Sequence, residues 1–476
     1  MASSLLCTPL LDEESETKLV RASCSYKDLS GSFRVSARSY KKQYAHIYAV
    51  RLMAMRKALE KVAKTKWDGV PIRKLADVKI DSRCCVVGTL FKRMQLRPSI
   101  LKEVSEKQGQ PTMPAPERFI SDSDSLVLED ETQRIPLAGN LPVDISVTGT
   151  VIALMGKESS AGTFEVESYA YCGLPPPSPK SSLRIDPDLE GGDDRYVVLV
   201  SGLGLGGSRY DALATQMFID TITGELGGLS DQKLFSRIVR VIIAGNSLSS
   251  DINSNKERES KIITRKIDPL SVGAIKELDD LLAQLACSVP VDLMPGANDP
   301  TNYTLPQQPL HKCMFPQSVV YPTLNGVPNP YQCDIGGRRF LGTSGQSIDD
   351  IYRFSGYDDC MEILKHTLFA CHLAPTAPDT LGCYPFHNVD PFLIGECPDV
   401  YFAGNQPVFK SEIISDSNGQ SSLLILVPDF SLTHQSVLIN LRTLDCRLLT
   451  FGTDLSGGSR TDSTHVDTDT EPMDES

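Results

Sequence analysis

Histidine is scarce in these 476 residues: there are seven, at positions 46, 311, 366, 372, 387, 434 and 465. So few scattered imidazoles argue against a metal centre built on several of them, because imidazole with carboxylate is the common donor set for catalytic divalent cations. The thirteen cysteines include no CxxC pair, and the adjacent Cys84 and Cys85 suit a strand better than a zinc knot. No apolar run reaches transmembrane length. The opening residues, MASSLLCTPLLDEESETK, have too short an apolar stretch and the wrong charges for a secretory signal. These absences predict a soluble intracellular chain with reduced thiols, in nucleus or cytosol, and without a membrane partner. The formal charge of -13 argues against a surface that grips nucleic acid throughout, and leaves room only for local basic patches. A chain of this length exceeds what one core organises, so two or three domains are expected.

Residues 1–73 read as an N-terminal segment, polar and mixed up to about residue 35. Helical spacing then predicts one helix from Tyr40 to Trp67, in which Tyr44, Ile47, Leu52, Met55 and Leu59 recur on one side. Lys and Arg crowd the remaining face. A face of that kind either touches DNA or an acidic partner, or is simply solvated while the apolar side docks; the second is the expectation.

From residue 74 to 174 the period changes to that of strands. VKIDSRCCVVGTLFKRM, SLVLEDETQRIPLAG and VDISVTGTVIALMGKESSAGTFEVESYAYC predict about five short strands in a small antiparallel barrel, with Gly88 and Gly149 at bends needed for closure. The order and size resemble an oligonucleotide/oligosaccharide-binding (OB) barrel. If it bound a single strand, the stacking and phosphate groups would be Phe91, Lys92 and Arg93 on one strand and Phe164, Tyr169 and Tyr171 on another. Alternation along FEVESYAYC already explains burial of one face, so these aromatics are expected in the core.

A proline-rich and acidic linker occupies 175–195, and a second domain spans 196–454. In it, strands alternate with helices and then dominate. The readable elements are RYVVLV, YDALATQMFIDTITG, SRIVRVIIAGN, a charged segment leading to VGAIKELDDLLAQLA, VPVDLMPG, VYFAGNQPVF, SLLILVPDF and SVLINLRTLDCRLLTF, which together suggest a layered α/β sandwich. The acidic, hydroxyl-rich tail 455–476 has almost no apolar groups and is expected to be disordered.

Four loops follow apolar strands: SGLGLGG from Ser201, AGNSLSS from Ala244, PGANDP from Pro295 and AGNQPVF from Ala403. They fall where a metal-dependent phosphoesterase carries its ligands, in the pattern D-x-H, G-D-x-x-D, G-N-H-D/E and G-H-x-H. On that alignment Gly202 and Gly204 replace the first Asp and His, and Asn246 and Ser249 the next pair. Asn298 stands at a histidine position beside the single match, Asp299, while Asn405 and Pro407 replace the last two histidines. One carboxylate cannot hold two dications, so no catalytic residue, metal or cofactor is expected.

Rival chemistries are weaker. Gly202, Gly204 and Gly207 satisfy G-x-G-x-x-G between strand and helix, yet the next strand ends in Gly245 and Asn246 and offers no acid for a ribose. Cys371, His372 and Asp379 cluster in CHLAPTAPDTLGCYPF without an activating context. A buried loop with a satisfied histidine is expected there, the alternative being His372 as a metal remnant.

The order of these segments, with HLAPTAPDTLGCYPF and PGANDP, resembles the B subunits of replicative DNA polymerases, within the DNA polymerase delta/II small subunit family. The resemblance covers nearly the whole chain. It implies an α+β/all-β multidomain chain, an OB β-barrel followed by an inactive calcineurin-like phosphodiesterase α/β sandwich. Its implied role is a noncatalytic accessory subunit of DNA polymerase delta in the nucleus, serving DNA replication and repair. The implied partners are the catalytic subunit, through its cysteine-rich C-terminal domain, and the third and fourth small subunits. The sliding clamp would be reached through the complex, with DNA contacts mainly indirect. Related archaeal subunits keep the metal ligands and are nucleases; this sequence departs from them at the positions named above. The alternatives are a phosphodiesterase with a rearranged site using Asp299 and His372, or a single-strand binder acting through the barrel.

Overall fold

The computed structural model describes residues 19–36, 39–98, 116–177, 192, 194–251, 269–416 and 419–452. Most of the linker, the charged stretch before the fourth helix and the C-terminal tail lie outside the described residues.

The first described elements are a short strand, β1 (Tyr26–Asp28), and a helix, α1 (Ala45–Lys66). The helix starts five residues later than its periodicity predicts, because Tyr40 and Tyr44 are used elsewhere. Tyr44 Oη donates to Cys383 O at 2.9 Å and Tyr40 packs edge-on against Tyr384. Among the described residues six strands follow: β2 (Ile72–Arg73), β3 (Cys84–Arg93), β4 (Ser125–Glu129), β5 (Arg134–Gly139), β6 (Val151–Glu158) and β7 (Phe164–Ala170). They run β2-β3-β4-β5-β7-β6, and β6 returns to pair with β3, which closes the barrel. The barrel is not wholly antiparallel as expected: β2–β3 and β5–β7 are parallel, because closure sets β7 beside β5 without a hairpin between them. One side of each strand fills the barrel with Val86, Leu90, Leu128, Leu154 and Phe164. The outward Cys85, Val87, Ala153 and Met155 bury Leu52, Met55, Leu59 and Ala63 of α1. Alternation thus supplies two cores, one inside the barrel and one beneath the helix.

Among the described residues the second unit has twelve strands including β1. They are β8 (Tyr196–Val200), β9 (Ile238–Ala244), β10 (Val291–Met294), β11 (Leu324–Gly326), β12 (Tyr331–Ile335), β13 (Arg338–Thr343), β14 (Val400–Gln406), β15 (Lys410–Ser415), β16 (Ser421–Pro428), β17 (Gln435–Asn440) and β18 (Cys446–Thr450). One sheet runs β1-β12-β13-β14-β16-β15 and the other β11-β10-β9-β8-β17-β18. Val197, Leu199, Ile242, Phe340, Phe402 and Ile425 pack between the sheets. The outer face of the second sheet is covered by α2 (Ala212–Thr223), α3 (Leu229–Phe235) and α4 (Pro269–Ala286); that of the first by α5 (Gln346–Phe354), α6 (Cys360–Phe369) and the loops beyond. The result is a four-layer α/β sandwich. A short helix, α7 (Phe430–Thr433), follows β16.

One strand reading changes. SVLINLRTLDCRLLTF is a hairpin and not one strand, since the Asn440 carboxamide accepts from Arg442 N and Leu444 takes φ 64°, which folds the chain back. The described part of the polar N-terminal segment, from residue 19, is built into the sandwich. β1 pairs with β12 at the edge of the first sheet, and the Arg21 guanidinium donates to Ile222, Phe235 and Ile238 carbonyls. Residues 19–36 therefore strap the sandwich, ahead of the barrel in sequence.

The two units meet along a polar seam. Arg51, expected on the solvated face of α1, is buried there. It donates to Asp390 Oδ2, to Pro375 and Ala377 carbonyls on the sandwich, and to Gly149 O on the barrel. Gly149 sits in a turn just before β6, with φ 84°, and a Cβ there would collide with Pro375 O. Arg97 pairs with Asp379 and Arg118 with Asp358, while the Phe119 and Phe354 rings stack at 5.1 Å. All twelve cysteines among the described residues are free thiols. Among the described residues no helix is long and apolar enough to cross a membrane.

Candidate functional site

The four loops converge. β8, β9 and β10 lie side by side and parallel, and β14 runs parallel to its neighbours in the facing sheet, so the loops leave from strand ends that face one another. Turning sharply off a strand needs left-handed backbone, which glycine and asparagine tolerate best. Gly202, Gly204 and Gly245 take φ 69°, 66° and 86°, and Asn246 and Asn405 take 52° and 57°. Four of the eight positions singled out in the sequence are thus spent on backbone shape. The loops are then laced together: Gly202 N donates to Gly245 O at 2.9 Å, Gly204 N to Asn246 O at 3.2 Å, and Leu205 N to Ser247 O at 2.9 Å.

Asp299 is buried at the centre. Its carboxylate accepts from Leu248 N at 2.9 Å, Ser247 N at 3.3 Å and Gly296 N at 2.8 Å. Burial raises its pKa above the ordinary carboxylate value, against the downward pull of those N–H groups. Each of these hydrogen bonds is to its own loops. Asn298 N donates to Asn246 Oδ1 at 3.1 Å. Asn405 Nδ2 donates to the Ala244 and Ser344 carbonyls, and its backbone N–H to Ser201 Oγ. Ser249 Oγ accepts from Asp251 N, and Pro407 is exposed just past β14.

Sequence reading missed Asp429, at the end of β16. A Cβ on Gly202 would lie 2.6 Å from Asp429 Cγ and 2.9 Å from Asn405 Oδ1. Asp429 accepts from Ser431 N and Ser431 Oγ, and burial raises its pKa. It also missed the amide cluster behind the loops, where Asn329 Nδ2 reaches Gln307, Ser344 and Gln346, and Gln307 Nε2 donates to Gly296 O. Only the adjacency of Asp429 to the apolar run SLLILVP hinted at a strand-end carboxylate.

Two-metal hydrolysis needs several carboxylates and imidazoles around close dications. The four loops hold no imidazole, Asp299 is consumed by backbone N–H groups, and Asp429 is tied to Ser431. Among the described residues no group of three or more His, Cys, Asp or Glu side chains is placed to hold a metal ion. The residues present do not fit a dinuclear centre.

The rival sites are also dispersed. His372 is buried: Nε2 meets Asp390 Oδ2 at 2.9 Å and Nδ1 accepts from Ala374 N, so it belongs to the Arg51 seam and shares no partner with Asp299. Asp379 pairs with Arg97 rather than His372, and a hydrogen bond with Cys172, together with burial, raises the Cys371 thiol. A rearranged Asp299–His372 centre is therefore not assembled. In the glycine loop Gly202, Gly204 and Leu205 donate their N–H groups to the neighbouring loop and Gly207 donates to Gly204 O, while Asp211 caps the next helix by accepting from Leu213 N and Ala214 N, so these donors are not turned to a pyrophosphate.

The barrel's candidate platform is not assembled either. Lys92 is buried, with Nζ donating to Asp144 O and 3.8 Å from Asp124. Phe164 is core, and Tyr171 packs edge-on against Tyr169 and against His366 of the sandwich. Phe91 is half-buried and Arg93 exposed.

Comparison with known proteins agrees with this architecture. The family model for the DNA polymerase delta subunit OB-fold domain matches residues 43–169, and that for the B subunit of DNA polymerases alpha and epsilon matches residues 197–411. Barrel, docked helix and α/β sandwich thus define the class, that of the B subunits of the replicative polymerases. More particularly, the chain belongs to the DNA polymerase delta small subunit family. It is 42% identical to the DNA polymerase delta small subunit of rice (Oryza sativa subsp. japonica), over 91% of this chain and 99% of that one. It is 42% identical to the Arabidopsis thaliana protein of the same name, over 94% and 100%. It is 38% identical to DNA polymerase delta subunit 2 of Drosophila melanogaster, over 91% and 99%.

Proposed function

We propose that the α/β half of this chain is a calcineurin-like phosphodiesterase domain that has lost its metal shell and now serves as a docking block within DNA polymerase delta. Membership of the family makes the chain an accessory subunit of that polymerase, a partner of its catalytic subunit in DNA replication. The carrying observation is the fate of Asp299. The one surviving acidic ligand position is turned inward onto Ser247, Leu248 and Gly296 N–H groups. Gly202, Gly204, Asn246, Ser249, Asn298, Asn405 and Pro407 supply the remaining positions with nothing that neutralises a dication. A cleft without cations costs less to bury against protein than a charged one.

On this reading the units are an N-terminal segment 1–73, a barrel 74–174, a linker 175–195, an inactive sandwich 196–454 and a tail 455–476. The sandwich docks the cysteine-rich C-terminal domain of the catalytic subunit, the barrel side helps hold the third subunit, and the fourth bridges to the catalytic chain. The sliding clamp is reached through the assembly, and the complex works in the nucleus.

The test is native purification of the tagged chain from dividing cells, with quantitative mass spectrometry and metal analysis. Recovery of a polymerase catalytic subunit and two smaller partners near one-to-one, without stoichiometric Mn or Zn, is expected. A bare chain that carries divalent metal and cleaves DNA would overturn the reading.

A further inference from the structure

The barrel's own stacking residues are spent on packing, but the helix laid over it presents a different surface. Lys57, Lys61 and Lys64 recur at helical spacing on the outward face of α1, all three exposed, with exposed Met53 one turn earlier. Among the described residues none of the three has an acidic partner, although Arg56 beside them pairs with Glu131. Lys66 is accounted for separately: its Nζ donates to Tyr169 O and lies over the Trp67 ring. The opposite face of the helix is fixed by Leu52, Met55, Leu59 and Ala63 in the barrel-side core, so the lysines are held in line and cannot turn inward.

Three ammonium groups without acidic partners among the described residues thus line one helix face of a chain whose net charge is -13. At about 1.5 Å rise per residue they step along the axis by roughly 6 Å and then 4.5 Å, close to the separation of successive phosphates on a strand. We infer that this face of α1 is a direct contact for the sugar–phosphate backbone of single-stranded nucleic acid, made by charge and without base readout. The only flanking acid on the helix is Glu60, which is half-buried to one side, while Asp68 lies beyond the helix end. With Glu60 three residues after Lys57 and four before Lys64, the ladder carries a net positive charge over two turns. Such contact is sequence-independent and salt-sensitive.

The test titrates the full chain, wild type and with Lys57→Ala, Lys61→Ala and Lys64→Ala combined, against a fluorescent mixed-sequence single strand between about 50 and 300 mM salt. Three lost phosphate contacts at about 0.7 counterions each predict a log–log salt slope shallower by about 2, with affinity reduced on the order of 100-fold at about 0.1 M salt. A variant with arginine at the three positions is expected to keep the wild-type slope. Unchanged thermal unfolding of the alanine variant excludes misfolding, since all three side chains are exposed. An unchanged slope for the alanine variant overturns the inference. So does a loss seen only with polyglutamate as ligand, which would assign the ladder to an acidic polypeptide. None of these readouts depends on assembly with the other subunits, so failure here leaves the scaffold reading standing.

Discussion

Arg51 Nε donates to Asp390 Oδ2 at 2.8 Å across the seam between barrel helix and sandwich, and neither side chain reaches solvent. The same carboxylate oxygen meets His372 Nε2 at 2.9 Å. Removing one partner of a buried pair strands the other charge, which costs about 3–5 kcal/mol. Arg51→Met is therefore expected to lower the unfolding free energy by that amount in chemical denaturation. Arg51→Met combined with Asp390→Leu should recover part of the loss. A single variant within about 1 kcal/mol of wild type would remove Arg51 from its role as clamp.

Stability should fall on mild acidification. Burial lowers His366 from 6.5 to about 4, where Thr150, Tyr357 and the Tyr171 ring face it. Burial, aided by Arg51 and opposed by Asp390, likewise lowers His372 from 6.5 to about 4. Both are neutral when folded, and the unfolded chain binds the extra protons. The stabilisation is thus complete above about pH 6.5 and lost as pH falls toward about 4, by up to about 3 kcal/mol per histidine. His366→Gln should flatten that slope in urea titrations run at about pH 7, 6 and 5.

Asp299 holds the strand-end loops. Asp299→Ala leaves three buried N–H groups without an acceptor, at about 1–3 kcal/mol for an unsatisfied buried group. Asp299→Asn keeps one acceptor oxygen and should cost less. The expected signature is faster hydrogen exchange at Ser247, Leu248 and Gly296, with polymerase activity unchanged once the complex is assembled.

Placing single phosphoesterase-type ligands in the glycine loop should not create a metal site. At Gly202 the backbone has φ 69° and a Cβ would lie 2.6 Å from Asp429 Cγ; at Gly204 φ is 66° and a Cβ would lie 2.9 Å from Ser431 Cβ. Gly202→Asp and Gly204→His should each destabilise by about 1–3 kcal/mol through strain. Calorimetry with Mn is expected to register no stoichiometric binding to either variant.

Legibility followed locality. β8 and β9 are buried on both faces and read as unbroken apolar runs, and the loops after them announced themselves by Gly and Asn at the turns. α1 was readable from its spacing, but Arg51 within it read as part of the solvated face, because its partner Asp390 lies 339 residues away and leaves no local mark. Lys92 escaped in the same way, its partners being supplied by the folded barrel. β1 has three residues with only Tyr26 partly buried, too few to show a period. The amide cluster of Gln307, Asn329 and Gln346 exists only after three separate turns have been brought together.

Strand β1 precedes the barrel but belongs to the sandwich: Ser30 Oγ donates to Gln332 O across 302 residues of sequence. The barrel is in effect spliced into the other unit, entered after Phe33 and left before Tyr196, so two covalent crossings join the halves where a hinge would have one. Synthesis runs against this arrangement. At about 5–20 residues per second the strap emerges roughly 15–60 s before the strand it joins. In that interval the barrel can close and receive its helix while the strap has no sheet to enter. A segment made before the barrel is among the last to find its place.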